Sequence, residues 1–290
     1  METKEPIVII AFGGRLAWEC IEQARAENRL ASVIAVDGES IAEVTAVADA
    51  VLKWGQVGQL IKALEASGAR KVLLIGSLSK RPDFLSVIND FETIKWLPKL
   101  LTTLVGGDDS VLRKVIEFFE STGYQIISVA DVAPALLAPA GVLTRKKPTE
   151  ANRKDILMGL DLLDSIAPFD VGQAVVVGDG RVAAIEGAEG TDAMIERVRE
   201  IRQKRRVAWK GSKGVLVKAT KTDQDLRVDL PVIGPETVQY CADAQLAGIA
   251  VEAGRVVIAS QQECLKRADQ LGIFVLSQAR NRNAQGNGDV

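Results

Sequence analysis

Short runs of consecutive apolar, β-branched residues alternate with longer amphipathic stretches through the first half of the chain. Ile7-Val-Ile-Ile10, Ser32-Val-Ile-Ala-Val36, Lys71-Val-Leu-Leu-Ile75 and Tyr124-Gln-Ile-Ile-Ser-Val129 read as buried strands, since a run without polar alternation has no solvent face. Between them, residues 16–29, 57–67, 83–104 and 111–121 carry helical periodicity, the third with an apolar side of Trp96, Leu97, Leu100 and Leu101. Strand, helix and strand in succession predict a Rossmann-like open, mostly parallel sheet with helices on both faces. The pattern breaks at Ala133-Pro-Ala-Leu-Leu-Ala-Pro-Ala-Gly141, where closely spaced prolines stop any regular element. A first domain over residues 1–138 is expected to end there.

The second half changes style. A basic connector at 143–148 leads to a helix over 150–166, and Val171-Gly-Gln-Ala-Val-Val-Val177 then pairs with residues 181–186 as a hairpin around Gly178-Asp-Gly180. Asp192 reads as the cap of a helix running to residue 202, and Gly214-Val-Leu-Val217 as a buried strand. A further helix starts near Glu236, and residues 246–252 and 255–258 read as a second hairpin around Ala253-Gly254. A helix at 261–271 and a strand at 273–276 complete a mixed α/β domain over 139–277. The last stretch, 278–290, is rich in Asn, Gly and Gln and is expected to be a disordered tail.

Composition narrows the function classes. A chain of 290 residues exceeds the usual single-core size, which agrees with two domains. With 47% hydrophobic and 26% charged residues it has a soluble, globular composition, and no apolar run reaches transmembrane length. The opening apolar run is too short for a signal peptide, and Cys20, Cys241 and Cys264 are isolated and odd in number, so a cytoplasmic location is expected. A net charge of -2 argues against a dedicated nucleic-acid binder. Histidine is absent. That excludes imidazole acid/base chemistry and most zinc or di-iron sites, leaving a hard, oxygen-liganded ion such as magnesium, and a carboxylate or lysine as any general base.

The densest polar chemistry is Lys218-Ala-Thr-Lys-Thr-Asp-Gln-Asp-Leu-Arg-Val-Asp-Leu230, where Asp223, Asp225 and Asp229 alternate with Leu226, Val228 and Leu230. It begins where a buried strand ends, the place where α/β folds collect ligands, although a solvated loop of mutually cancelling charges has the same composition. The turn Ala11-Phe-Gly-Gly-Arg15 resembles a phosphate-binding nest, without the GxGxxG spacing of a dinucleotide site. Gly76-Ser-Leu-Ser-Lys-Arg-Pro82 offers Lys80 and Arg81 to an anion, or is an ordinary connecting loop. Gly106-Gly-Asp-Asp-Ser110 serves as a helix cap or as a metal or ribose contact. The basic run Arg197, Arg199, Arg202, Lys204, Arg205, Arg206, Lys210 and Lys213 complements a helix dipole or attracts anionic lipid headgroups. Taken together, these loops point to a phosphate-containing substrate held with a divalent metal between two domains.

Seven segments occur in an order that carries a family resemblance: Gly13-Gly14, Gly76-Ser-Leu-Ser-Lys-Arg-Pro82, Gly107-Asp-Asp109, Leu137-Ala-Pro-Ala-Gly-Val-Leu-Thr144, Asp170-Val-Gly-Gln-Ala-Val-Val176, Glu186-Gly-Ala-Glu-Gly-Thr-Asp-Ala193 and Val217-Lys-Ala-Thr-Lys-Thr-Asp-Gln-Asp-Leu-Arg-Val-Asp-Leu-Pro231. The sequence resembles the LpxI family of UDP-2,3-diacylglucosamine pyrophosphatases of lipid A biosynthesis over nearly its whole length. Its first turn departs from the family's AGxGxLP, reading Ala-Phe-Gly-Gly-Arg-Leu-Ala. The resemblance implies two domains with the substrate in the cleft between them, and magnesium-dependent hydrolysis of UDP-2,3-diacylglucosamine to UMP and 2,3-diacylglucosamine 1-phosphate (lipid X). It places the work at the cytoplasmic face of a Gram-negative inner membrane, with peripheral attachment to its anionic surface. Attack by a metal-associated water, without a covalent intermediate, is the expected mechanism. Asp225 is the first candidate for catalysis and metal binding, with Glu186, Glu189 and Asp192 as further metal carboxylates. Lys218 and Arg227 are candidates to stabilise phosphate charge, and Gly13, Gly14, Lys80, Arg81, Gln173, Thr191, Lys221 and Gln224 to bind substrate. Except for Asp225, surface or capping duty explains each of these equally well. A non-catalytic nucleotide-sugar or lipid sensor, or a structural partner protein, are the alternatives to an enzyme.

Overall fold

The computed structural model describes residues 5–79, 108–221 and 224–280. Contacts divide the chain into two units, Met1–Ala135 with Asp225–Asp229, and Leu136–Gln224 with Leu230–Val290. Both are α/β.

In the first unit, β1 (Ile7–Ala11), β2 (Leu30–Val36), β3 (Ala50–Leu52), β4 (Lys71–Ile75) and β5 (Gln125–Ile127) form one parallel sheet of order β3-β2-β1-β4-β5. Its described helices are α1 (Arg15–Ala26), α2 (Ala42–Thr45), α3 (Val57–Ser67), α4 (Asp108–Ser121) and α5 (Val129–Val132). Every residue of β1 is buried, as the unbroken apolar run requires of a strand covered on both faces. Val8 and Ile10 face a core with Ile61 and Leu64 of α3 and Ile116 and Phe119 of α4. The alternate residues Ile7, Ile9 and Ala11 are fully buried on the other side. The strand order reverses between β1 and β4, which creates a switch point at their carboxyl ends.

The second unit contains β6 (Gly141–Val142), β7 (Ala174–Gly178), β8 (Arg181–Ile185), β9 (Val215–Lys218), β10 (Val232–Ile233), β11 (Gly248–Glu252), β12 (Val257–Ile258) and β13 (Phe274–Gln278). Six of them make a mixed sheet of order β6-β13-β11-β9-β7-β8, parallel through β9, β11 and β13. Alternate residues of this sheet build two cores. Val176, Leu216, Ile249 and Val275 pack with Met194 and Val198 of α7 (Gly190–Gln203), Val238 of α8 (Pro235–Asp243) and Cys264 of α9 (Gln261–Leu271). On the opposite face, Val175, Val217, Ala250 and Phe274 pack against Ile156, Leu160 and Leu163 of α6, which spans Glu150–Ile166.

Three expectations need correction. The β7-β8 hairpin forms, but β11 and β12 do not pair with each other: β11 lies between β9 and β13, and β12 pairs in parallel with β10. Asp192 does not cap its helix, because α7 already begins at Gly190 and leaves Asp192 in the first turn. The chain remains ordered beyond residue 277, since β13 runs to Gln278 and Arg280 pairs with Asp164. Lys80, Arg81 and the helix expected over 83–104 lie outside the described residues, as does the tail from 281. Among the described residues, no helix is long and apolar enough to cross a membrane.

Candidate active site

At the switch point of the first unit the backbones after β1 and β4 meet. Gly13 donates its N–H to Ser77 O at 2.9 Å, and Ser77 returns a bond to Gly13 O at 2.8 Å. A Cβ on Gly13 would lie 2.9 Å from Ser77 O, and one on Gly76, whose φ is +117°, would lie 2.5 Å from Gly13 O. The two glycines therefore permit backbone contact, and the Gly13 amide is committed to Ser77 rather than presented to an anion. Gly14, at φ 89°, turns the chain into α1. Beside them Glu39, in the loop after β2, accepts the N–H and the hydroxyl of Ser79, both at 2.8 Å. Sequence reading missed Glu39, although an acidic residue following the second strand of such a sheet is the available signal.

The second unit assembles a polar network at the carboxyl end of β9. Glu186, 9% exposed, accepts Gln173 N–H at 2.9 Å and the Thr191 hydroxyl at 2.6 Å. Lys218 donates to Thr191 Oγ1 at 2.7 Å and to Val232 O at 3.0 Å. Gln173, Glu186, Thr191 and Lys218 thus come together. Asp192 stands next to them: partial desolvation at its carboxyl, opposed by Lys218 and reinforced by Glu236 and Glu186, raises its pKa above the usual carboxylate range, though the residue as a whole is exposed. Glu189 turns away to Arg197 at 2.6 Å. Lys221 forms an ion pair with Asp170, and its backbone N–H donates to Gln224 Oε1 at 2.9 Å, so the Gln224 amide serves its own loop.

The segment Asp225–Asp229 packs within the first unit although it belongs to the second half of the sequence. Val228 joins the core of that unit, and Arg227 donates to Glu120 at 2.7 Å. The same guanidinium grips Asp225 through Nε at 2.9 Å and Nη2 at 2.6 Å, with the Arg227 N–H adding a bond at 3.0 Å. These hydrogen bonds, outweighing partial burial, hold the Asp225 carboxyl below the usual range and raise Arg227 further. Arg227 also lines a cavity of about 400 Å³ with Arg29, Lys71, Gln125, Ile126, Ile127 and Asp131. Lys71 and Gln125 are the first residues of β4 and β5, so Arg227 sits at the amino edge of the sheet and Gly13 and Gly14 at its carboxyl edge. The two groups are a strand length apart, roughly 15 Å.

Among the described residues, no three Asp, Glu or Cys side chains gather as a metal cage. Magnesium usually takes one or two carboxylates and completes its shell with waters and substrate phosphates. The oxygen-only donors here, Asp225 alone or Glu186 with Asp192, suit that pattern and would not suit a softer metal.

Two family models match the chain, the LpxI N-terminal domain over residues 6–136 and the LpxI C-terminal domain over 139–276. The chain is also similar to the UDP-2,3-diacylglucosamine pyrophosphatase LpxI of Caulobacter vibrioides, at 37% identity over 268 residues, which covers 92% of this chain and 95% of that protein. With both domains matched in order and a relative aligned along nearly its full length, the chain belongs to the LpxI family.

Proposed function

We propose that this protein hydrolyses the diphosphate of UDP-2,3-diacylglucosamine to UMP and 2,3-diacylglucosamine 1-phosphate in lipid A biosynthesis. The observation that carries the reading is the 37% identity to a pyrophosphatase of that name across both domains. The site chemistry supports it: without histidine, the ionisable side chains at the end of β9 and beyond are carboxylates, lysines and an arginine. That set suits a phosphoric anhydride and offers no nucleophile–imidazole pair for covalent catalysis.

Direct attack of water on phosphorus needs an oriented nucleophile and cations where charge develops. Asp225 is ionised at neutral pH, and its depressed pKa makes it a weak base while Arg227 holds it. Its carboxylate is therefore suited to orient water or bind a cation, and it gains basicity only when Arg227 turns to the diphosphate. Lys218, bonded to Thr191, and Lys221, paired with Asp170, are two further cations of the second unit. Asp225, or Glu186 with Asp192, would hold a magnesium ion, which would supply charge neutralisation on the diphosphate oxygens. Gln173 and Thr191 fix the Glu186 carboxyl in place by hydrogen bonds.

The test is release of UMP, read by coupling to a nucleotide monoesterase and phosphate detection. Magnesium-dependent turnover of the diacylated UDP-sugar, little turnover of UDP-GlcNAc, and loss of about a hundredfold or more in Asp225→Asn are expected. An Asp225→Asn enzyme with near-native turnover would remove Asp225 from the mechanism. Binding of the UDP-sugar without turnover by the native protein would favour a sensor.

A further inference from the structure

We infer that Glu252 and Arg280 are positioning residues that fix the stem of the loop carrying Asp225. The inference rests on the reading of Asp225 as the reactive carboxylate. Thr220, 1% exposed, stands just after β9, at the stem of the loop that continues to Asp225. Two side chains hold it, and a third contact holds its neighbour. On one side, Glu252 Oε2 accepts the Thr220 N–H at 3.1 Å and its hydroxyl at 2.7 Å. On the other, Arg280 donates from Nη1 to Thr220 O at 3.3 Å. Just before it, Ala219 N–H donates to Gln173 O at 3.1 Å. The returning end of the loop is fixed too, because Lys218 donates to Val232 O.

Neither anchor is an obvious space-filler. Glu252 is 2% exposed at the end of β11, with Arg255 3.7 Å from its other oxygen. The Arg280 side chain is 5% exposed and also bonds Leu160 O at 2.9 Å and the Asp164 carboxylate. Burying two charges costs several kcal/mol each before pairing, and apolar residues of similar volume would stabilise such a site at least as well. What a carboxylate and a guanidinium provide, and apolar residues do not, is directional hold on both the donors and the acceptor of one residue. Thr220 is thereby set in a single orientation at the stem of the loop. Arg280 lies beyond residue 276, where the match to the C-terminal family model ends.

Thr220→Val removes the hydroxyl donor and nearly keeps the volume, Thr220→Ser keeps the donor, and Arg280→Ala removes the second anchor. Expected are about tenfold losses of kcat in Thr220→Val and Arg280→Ala with KM within roughly twofold, and recovery of most of the rate in Thr220→Ser. In an Asp225→Asn background neither substitution adds to the loss, because the anchors act through Asp225. Amide hydrogen exchange over residues 221–229 accelerates, roughly fivefold or more, in both variants while exchange in the first-unit strands is unchanged. Unchanged exchange at 221–229, or activity lost only in proportion to folded protein, would overturn the inference. The exchange measurement needs no turnover, so a native protein inactive on the UDP-sugar defeats the proposed function and leaves this test standing.

Discussion

Asp225 and Arg227 are two residues apart, yet what Arg227 does is set by a residue 107 positions away, Glu120. Held from both sides, the guanidinium lowers the Asp225 pKa by hydrogen bonding. A carboxyl with a lowered folded-state pKa stabilises the fold above its unfolded value and loses that contribution as pH falls through the folded value. Replacing Arg227 by Gln should bring the Asp225 carboxyl back up towards the ordinary ~3.9. Carboxyl-carbon NMR titration checks this, and an unchanged titration point would show that Arg227 is not the cause. The loss of activity in Arg227→Gln should exceed the change that titration alone explains, because the cation is then missing from the diphosphate as well. At this scale, the alternation of carboxylates with apolar residues at a strand end marked Asp223, Asp225 and Asp229 alike, and the family resemblance singled out Asp225 among them. The sequence left Glu39, Glu252 and Arg280 unmarked. Each of these acts through a partner distant in sequence, Ser79 forty positions on, Thr220 thirty-two positions back and Thr220 again sixty positions back, and periodicity carries no information about such pairs.

Helices and strands with strong period were legible to within a residue: α3, α6, α9 and β4 have the bounds their apolar patterns imply. The failure at β11 and β12 has a physical cause. Ala253-Gly254 has the composition of a hairpin turn, but β9 and β13 already occupy both edges of β11, so β12 must find β10 instead. Competition for sheet edges is a property of the assembled unit and not of the local sequence. Helix and sheet pack closely at Gly159, in the middle of α6. A Cβ there would stand 2.7 Å from Val217 Cγ2 and 3.3 Å from Val175 Cγ1. Gly159→Ala gains up to ~1 kcal/mol in helix propensity and meets an overpacking cost of ~1–3 kcal/mol. Because β-branched Val217 on a central strand has little freedom to yield, the clash should dominate. A net destabilisation of about 1–2 kcal/mol is expected, read as a lower urea midpoint with an unchanged slope. A higher midpoint would mean that α6 shifts away from β9 at little cost. Such a shift would disturb Lys218, the residue after Val217, and should also lower activity.

Length and the proline break announced two units, but not that Asp225–Asp229 would pack with the first while the residues on either side belong to the second. Val228 hinted at this, as an apolar residue within a charged loop, and it packs, partly buried, against a core built from residues more than a hundred positions earlier. Charge has a comparable division between the local and the global. The whole chain carries only -2, while residues 197–213 hold eight cations. Structure sorts these by task. Arg197 pairs with Glu189 and Lys204 with Glu200, Lys213 pairs with Asp179, and Arg202 ties down the following turn through Lys213 O and Gly211 O. Arg199, Arg205, Arg206 and Lys210 are exposed and make no ion pair among the described residues. Since the proposed substrate is a lipid, these four are the cations left to meet an anionic bilayer, each contributing ~1 kcal/mol close to the surface. The protein should sediment with phosphatidylglycerol vesicles at about 0.1 M salt and be released near 1 M, as the screening length shrinks from about 10 to 3 Å. Zwitterionic vesicles should retain little of it. Replacing Arg205, Arg206 and Lys210 together by Ser should weaken partitioning about a hundredfold while leaving turnover of detergent-dispersed substrate unchanged. Salt-insensitive binding, or equal binding to zwitterionic vesicles, would assign membrane attachment to apolar surface instead, and Phe169, 75% exposed, would be the first side chain to replace.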